Sequence, residues 1–339
     1  MKKVTIKEVA ERANVSIATV SRVLNNNYPV SKELKTKVLK AIEELDFQPN
    51  GLARCLKKNT THMIGVVVPD IANPFFMDVG KGLEGVVSKK GYVIILCNTD
   101  ENVVKEYNSL KTLVEKRVDA IVLSTCNSNN QYINDIVKKG VPLLLVDRRI
   151  KGVNTDVIVN DNYGSSYMLT KYLIQNGHKD ICIVNGSLSV STGYERFCGF
   201  KAAMEEFGIP IKDEFVLNGN FKAKIAYREI KKLLKSNKRP TAIVAANNLM
   251  AEGIMEALQE ENLAVPDDIS LVCFEKIRNQ RLVKPKLTYI NQNGFLMGEK
   301  AGEIVLEILE NKSKDKTRKI KEVILVSDLI VKESVKCLK

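Results

Sequence analysis

Between Ser16 and Arg22 the chain reads S-I-A-T-V-S-R. At helical spacing Ser16, Thr19, Ser21 and Arg22 form a polar face of short hydroxyls and one guanidinium. Hydroxyls of this reach hydrogen-bond phosphate oxygens, and a guanidinium forks onto the edge of guanine. The same periodicity turns Ile17 and Ala18 outward at the helix start. Small apolar groups there suit base edges and thymine methyls in a major groove. The chemistry is recognition of a duplex rather than bond-making. Groups for bond-making are sparse: His62 and His178 are far apart with no obvious partners in the sequence, and no P-loop is present. The seven cysteines (55, 97, 126, 182, 198, 273, 337) are scattered without a CxxC pair. That argues against a disulfide framework and a zinc site, and the expectation is no catalytic residue, no metal and no cofactor.

Two short helices and a turn must hold that face. Thr5-Ile6-Lys7-Glu8 is a capping box, and Ile6, Val9 and Ala10 give its helix one apolar side. Asn14 and Val15 end this helix near Arg12, and Ser16 caps a second with Val20, Val23 and Leu24 inward. Two helices so joined form a helix-turn-helix. A third, from Ser31, brings Leu34, Val38, Leu39, Ile42 and Leu45 to close the small core. Charge points the same way: residues 1–60 carry twelve Lys and Arg against six Asp and Glu, half of the net +12 of 339 residues. A basic module of this kind is what phosphate binding requires, although charge alone also fits a merely soluble basic surface. Pro49 then stops the third helix and Asn50 is placed to cap another, too short to persist alone in water.

TIKEVAERANVSIATVSRVLNNN, followed by VSKELKTKVLKAIEELDFQPNGLARCL, resembles the lactose-repressor (LacI/GalR) family without gaps. The resemblance implies that Ile17, Ala18 and Arg22 read bases while Thr5, Ser16, Thr19, Ser21, Asn25 and Ser31 hold phosphates. It implies a hinge helix over Asn50–Lys58, paired with its copy in the minor groove. Asn50 and Ala53 would then face DNA, and Leu56 would wedge between base pairs and kink the duplex. Gly51 is a mild departure, since it lowers helix propensity at the hinge start.

From Ile64 onward apolar strand runs alternate with amphipathic helices: IGVVVP (64–69), YVIILC (92–97), AIVLS (120–124) and PLLLV (142–146). The rhythm resumes with ICIVN (181–185), TAIVAA (241–246) and ISLVCF (269–274). Such strands indicate parallel sheets covered on both faces, here two doubly wound lobes with a ligand crevice at the carboxyl ends of the strands. Gly80-Lys81-Gly82-Leu83-Glu84-Gly85 spells GxGxxG, but it lies about ten residues past the strand end at Pro69, inside a helical run. It reads as close helix–sheet packing rather than a dinucleotide site.

Polar and aromatic residues follow the strands: Asn73-Pro74-Phe75-Phe76, Asp147-Arg148-Arg149, Asp161-Asn162, Ser191-Thr192, Glu195-Arg196, Phe221, Asn247-Asn248 and Glu275-Lys276. Aromatics for ring faces, with carboxylates, amides and guanidinium for hydroxyls, furnish a sugar site. The resemblance continues through VPDIANPFF, LCNTD, DNYGSS, NGHKDI, AANNLMA and VPDDISLV, which look like the family's periplasmic-binding-protein-like core. It implies Phe75, Asp147, Arg196, Phe221, Asn247 and Glu275 as effector contacts, and strand-end placement adds Arg148 and Thr192. Asn248 and Lys276 stand where the family pattern has aspartates, and Arg149 adds a further cation. That predicts an anionic effector such as a sugar acid or a phosphorylated sugar.

The expected fold class is an all-α helix-turn-helix domain plus an α/β two-lobed periplasmic-binding-protein-like domain with doubly wound parallel sheets. The expected divisions are 1–46 for the DNA-binding domain, 47–60 for hinge and linker, and 61–339 for the effector and dimerisation domain. Within the last, an N-lobe covers about 61–160 and 291–321 and a C-lobe about 161–290 and 322–339. The function expected is a dimeric repressor of a pseudo-palindromic double-stranded operator, controlled by a small sugar or sugar acid. An effector-dependent activator or a corepressor-dependent repressor of the same family is the alternative. A solute-binding protein fits the first 58 residues poorly, and an enzyme on a nucleotide-binding fold is weakened by the misplaced GxGxxG. No membrane partner is expected: MKKVTIKEVAERANV begins with lysines, but Lys7, Glu8, Glu11 and Arg12 interrupt any signal-peptide core, which predicts a cytoplasmic protein. SDLIVKESVKCLK carries no leucine heptads, so a tetramer of the lactose-repressor type is not expected.

Overall fold

Hydroxyl caps mark the start of each of the first three helices. In the computed structural model, which describes residues 4–25, 28–47, 60–126, 131–236, 238–313 and 319–338, α1 spans Ile6–Ala13, α2 Ile17–Asn25 and α3 Lys32–Glu44. The Thr5 N–H donates to Glu8 Oε2 (2.6 Å) while the Glu8 N–H donates to Thr5 Oγ1 (3.4 Å), closing the capping box. Ser16 accepts from the Thr19 N–H (3.1 Å), and Ser31 from the Leu34 N–H (3.4 Å). Asn14, left-handed at φ +53°, makes the turn between α1 and α2. The core is Val9, Ala10, Ala13, Val20, Val38, Ala41 and Phe47, with Val23, Leu24, Ile42 and Leu45 packed on it. Leu39, expected inside, is 49% exposed, and Ala41 takes the buried position on α3. This unit, Met1–Thr61, is compact by itself, as is the second, His62–Lys339.

The second unit holds two six-stranded sheets. The first is ordered β11-β5-β4-β3-β1-β2, from β1 (Met63–Val68), β2 (Val93–Asn98), β3 (Ala120–Leu123), β4 (Leu143–Val146), β5 (Asp156–Asn160) and β11 (Glu322–Leu325), all parallel. The second is ordered β12-β10-β9-β8-β6-β7, from β6 (Ile181–Asn185), β7 (Val216–Asn218), β8 (Ala242–Ala245), β9 (Ser270–Phe274), β10 (Thr288–Asn291) and β12 (Asp328–Ile330). Only β12 runs antiparallel among the described strands. The chain passes between the lobes after Asn160, after Asn291 and after Leu325. Since β11 pairs with β5, Glu322–Leu325 belongs to the first sheet, which corrects the expected assignment of 322–339 to the second lobe.

Helices cover both faces of each sheet, which is why the central strands are apolar throughout. On the first sheet α4 (Pro74–Val87) and α11 (Gly294–Ser313) take one face, and α5 (Val103–Glu115) with α6 (Gln131–Lys138) the other. On the second, α7 (Asn162–Gln175) and α8 (Ser191–Glu206) oppose α9 (Ala223–Lys235) and α10 (Asn248–Glu260). The GxGxxG segment lies inside α4. There a Cβ on Gly82 would fall 2.2 Å from the Phe295 carbonyl oxygen on α11, whereas a Cβ on Gly80 or Gly85 would meet nothing beyond the helix's own backbone within 4 Å among the described residues. The glycine contact is helix-to-helix, not helix-to-sheet, and one glycine makes it. No helix among the described residues is long and apolar enough to cross a membrane.

Candidate functional site

In the first unit, α2 presents Ser16, Ile17, Ala18 and Arg22 exposed, with Thr19 and Ser21 half-buried. Ile17 is 48% exposed at the helix start, an apolar group that its own core does not use. Thr5, Ser16 and Ser31 each cap a helix, so each hydroxyl lies at a positive helix end, where phosphates are favoured. The Ser16 and Thr19 hydroxyls bond each other (2.9 Å), which orients both. Arg22 lies over the ring of Tyr28 at 5.6 Å. Tyr28, 68% exposed, was not expected from the sequence; its signal is an aromatic ring in a short polar connection beside a recognition helix. The Asn25 side chain and Asn50, Ala53 and Leu56 lie outside the described residues.

In the second unit the strand ends face one another across a cavity of about 370 Å³. The first lobe lines it with Asp70, Asn73, Phe76, Asp100, Glu101 and Arg148, the second with Phe221, Lys222, Ala223, Lys224, Asn247 and Leu249. A slightly larger depression, about 440 Å³, lies outside the first lobe among Val103, Val104, Tyr107, Leu110 and Tyr132. Its buried carboxylate, Glu106, is already engaged by the Thr125 hydroxyl (2.8 Å) and the Cys126 N–H (2.6 Å). Of these two, the inter-lobe cavity is the one with convergent polar groups.

The two lobes use one device at their strand ends. Asp147 follows β4 at φ +65° and donates its N–H to the Ile158 carbonyl (2.8 Å). Glu275 follows β9 at φ +62° and donates its N–H to the Ile290 carbonyl (2.8 Å). Left-handed backbone at a carboxylate costs on the order of 1 kcal/mol and is retained where side-chain aim matters. Asp147 accepts from the Ser124 hydroxyl (3.3 Å), and Glu275 from the N–H groups of Lys276 (3.2 Å) and Gln292 (3.1 Å). Burial raises both carboxyls above the ordinary range, Asp147 against the opposing pull of Arg148 and Arg196.

Two buried guanidiniums lie near these carboxylates. Arg148 forks onto Glu101 (2.6 and 2.8 Å), donates to the Thr125 carbonyl (2.9 Å) and stands 3.6 Å from Asp147. Burial pulls its pKa down, and the Glu101 hydrogen bonds and the charges of Glu101 and Asp147 more than offset that. Arg196 donates to Asn162 Oδ1 (2.8 Å) and stacks on Phe274 at 4.1 Å; burial lowers it to about 10. Thr192 is buried and its hydroxyl lacks a hydrogen-bond partner among the described residues, as do Asn185 Oδ1 and Gln292 Nε2. Asn247 caps α10 through the Met250 N–H (2.8 Å) and donates to the Phe221 carbonyl (3.2 Å).

Of the eight effector residues named from sequence, Arg148, Phe221 and Asn247 line the cavity. Asp147, Thr192, Arg196 and Glu275 are buried at the strand ends, outside its lining. Phe75 packs against Gly294, and its neighbour Phe76 reaches the cavity instead. None of the residues invoked for an anionic effector lines the cavity. Asn248 donates to Asn73 Oδ1 (3.1 Å) and the Lys276 carbonyl (3.3 Å), Arg149 pairs with Glu195 (3.5 Å) and Glu322 (2.9 Å), and Lys276 is exposed. Asp100, Glu101, Lys222 and Lys224 were missed, although Asp100-Glu101 directly follows a strand and satisfies the rule that found the others.

Two family models match this chain: "Bacterial regulatory proteins, lacI family" over residues 5–50, and "Periplasmic binding proteins and sugar binding domain of LacI family" over 61–328. A repressor of Histophilus somni (strain 2336), "HTH-type transcriptional repressor PurR", is 36% identical over 336 residues, 98% of this chain and 99% of that one. The solved lac repressor dimer bound to operator and the anti-inducer ONPF is 25% identical with TM-score 0.84, covering 99% of this chain and all of that one. A LacI-family regulator from Enterococcus faecium with bound ribose is 28% identical with TM-score 0.72, covering 82% of this chain and all of that one.

Proposed function

Because the chain belongs to the lacI family of bacterial regulatory proteins and is a DNA-binding transcriptional regulator, we propose that it is a dimeric repressor released from a pseudo-palindromic operator by a neutral carbohydrate. Exposed Ile17, Ala18 and Arg22 on α2 support base reading, and the capping hydroxyls of Thr5, Ser16 and Ser31 support phosphate contacts. One small helix-turn-helix buries too little surface for tight specific binding, and the operator-bound lac repressor of similar fold is a dimer. A regulator that reads chromosomal operators works in the bacterial cytoplasm.

The observation that carries the effector reading is the inter-lobe cavity itself, with Arg148 of one lobe over Phe221 of the other at 5.0 Å. A ligand held there touches both lobes and therefore biases their relative position. Asp70, Asp100 and Glu101 balance Arg148, Lys222 and Lys224 around it, which favours an uncharged polyhydroxyl ligand over a sugar acid. The relative with bound ribose supports the same class.

The test selects an operator from a library of palindromic duplexes and follows fluorescence anisotropy at two salt concentrations. A panel of ribose, other neutral sugars and sugar acids is then added. Release by a neutral sugar is expected. Release only by an acid would overturn neutrality, tighter binding on ligand addition would reverse the direction of control, and no selectable operator would overturn repression by this module.

A further inference from the structure

Glu101 leaves β2 on a turn that ordinary residues seldom adopt. Asp100 and Glu101 are both left-handed, at φ +54° and +57°. The turn is held on every side: the Glu101 N–H donates to the Pro69 carbonyl (3.1 Å), Asn98 Nδ2 donates to Asp100 Oδ1 (2.7 Å), and Lys105 pairs with Asp100. The consequence is that the Glu101 carboxylate points at Arg148 and takes both of its terminal nitrogens. Arg148 is 2% exposed, and a guanidinium so buried is tolerated only when charge-compensated and hydrogen-bonded.

What Arg148 does in that position is cover Phe221. The guanidinium lies over the ring at 5.0 Å, and the far end of the ring abuts Gly186, where a Cβ would fall 2.0 Å away. Phe221 is itself left-handed at φ +60° and only 8% exposed. Glu101 and Arg148 belong to the first lobe, Phe221 and Gly186 to the second.

We propose that Glu101 is a positioning residue of the cleft. By holding Arg148 over Phe221 it ties the lobes together and reserves that face of the ring, so a ligand that stacks there must displace Arg148. The inference rests on the reading of this cavity as the effector site. Without Glu101, Arg148 keeps the Thr125 carbonyl and Asp147 but loses the fork that sets its plane.

The chain contains no tryptophan, so Phe221→Trp introduces a single indole beside the cavity, excited selectively over the ten tyrosines. Acrylamide quenching of the full-length protein, with no ligand added, reads how well the indole is covered. F221W is expected to be shielded, F221W/E101A to quench several-fold more strongly, and F221W/E101Q to fall between. F221W/E101A/R148A is expected to quench no more than F221W/R148A, because Glu101 acts through Arg148. F221W/E214A, altered at an exposed pair remote from the cleft, serves as control. Equal quenching of F221W and F221W/E101A overturns the proposal. So does an added effect of E101A once Arg148 is gone. If F221W does not fold, the protein labelled with 4-fluorophenylalanine replaces it, with the Phe221 signal assigned by F221L. That ¹⁹F shift must move in E101A and stay in E214A, and an unmoved signal overturns the proposal equally. Since no readout uses effector or operator, failure of the repressor reading is separate from failure of the clamp.

Discussion

A carboxyl group that is buried works against the fold once it ionises. Burial is the leading cause that raises Asp147, Glu195 and Glu275 above the ordinary carboxylate range. A folded value above the unfolded one means that the native chain holds more protons. Stability from these groups therefore declines as pH rises from the unfolded value, 4.5 for a glutamate, through the folded one. Glu275→Gln removes that titration but also one of two acceptors, for the Lys276 and Gln292 N–H groups. We expect E275Q to melt below the parent at pH 4 and to gain on it as the pH rises from there. Melting curves with the same gap at every pH would show that Glu275 ionises as it does unfolded. On α2, Arg22→Ala should weaken operator binding by about 1–3 kcal/mol and relax the preference at one base pair, read by anisotropy against single-base operator variants. A uniform loss across all sequences would assign Arg22 to phosphate instead.

At the scale of elements, α4 against α11 shows how one motif divides into unlike positions. Gly82 meets the Phe295 carbonyl oxygen and Glu299 nitrogen of α11, both backbone atoms that cannot swing aside, whereas Gly80 faces open space. Gly82→Ala should therefore destabilise by about 1–3 kcal/mol through forced separation of the helices. Gly80→Ala should stabilise by about 0.5–1 kcal/mol through helix propensity alone. Urea unfolding of the two variants checks the opposite signs, and matching signs would mean that the helices are not in the contact described. The same helix explains the exchange of Phe75 for Phe76. Pro74 starts α4 under the Asn73 cap, and a helix turns neighbouring residues about 100° apart, so only one of the two aromatic rings reaches the cavity. The strand-end rule located the pair but not the member, because both rings are equally apolar and both are buried.

At the scale of the molecule, the proposed control is a coupling free energy between the cleft and the operator. Whatever factor the effector imposes on operator affinity, the operator must impose on effector affinity. Calorimetry of the effector with and without a selected operator should return the factor that anisotropy gives in the reverse direction. Leu56, which lies outside the described residues, is the residue that the family resemblance proposes to carry that coupling through a minor-groove wedge. Leu56→Ala should lower specific operator affinity by tenfold or more, about 1.4 kcal/mol, and leave effector affinity without DNA unchanged. Parallel loss of both would place Leu56 in the fold rather than in the coupling.

Features encoded within a few residues were decided by the sequence alone. The three caps, the turn at Asn14 and the period of α1 to α3 specify a helix-turn-helix locally, and apolar runs between amphipathic helices specify covered parallel sheets. The rule that ligands meet strand ends then drew attention to Asp147, Arg148, Phe221 and Asn247. What only the tertiary structure decided depends on distant partners. Leu39 fits the apolar spacing of α3 but faces outward, and the short edge strand β11 joins the first lobe because β5 offers it a neighbour. The expected cations of the cleft were also placed by the fold, outside the cavity lining. Arg149 and Lys276 looked like an anion site in sequence, yet one is paired with carboxylates and the other is exposed. Glu101 reaches Arg148 across 47 residues of chain, and Arg148 in turn covers a ring on the other lobe. No local pattern records such a meeting, because it exists only once two sheets have brought their strand ends face to face.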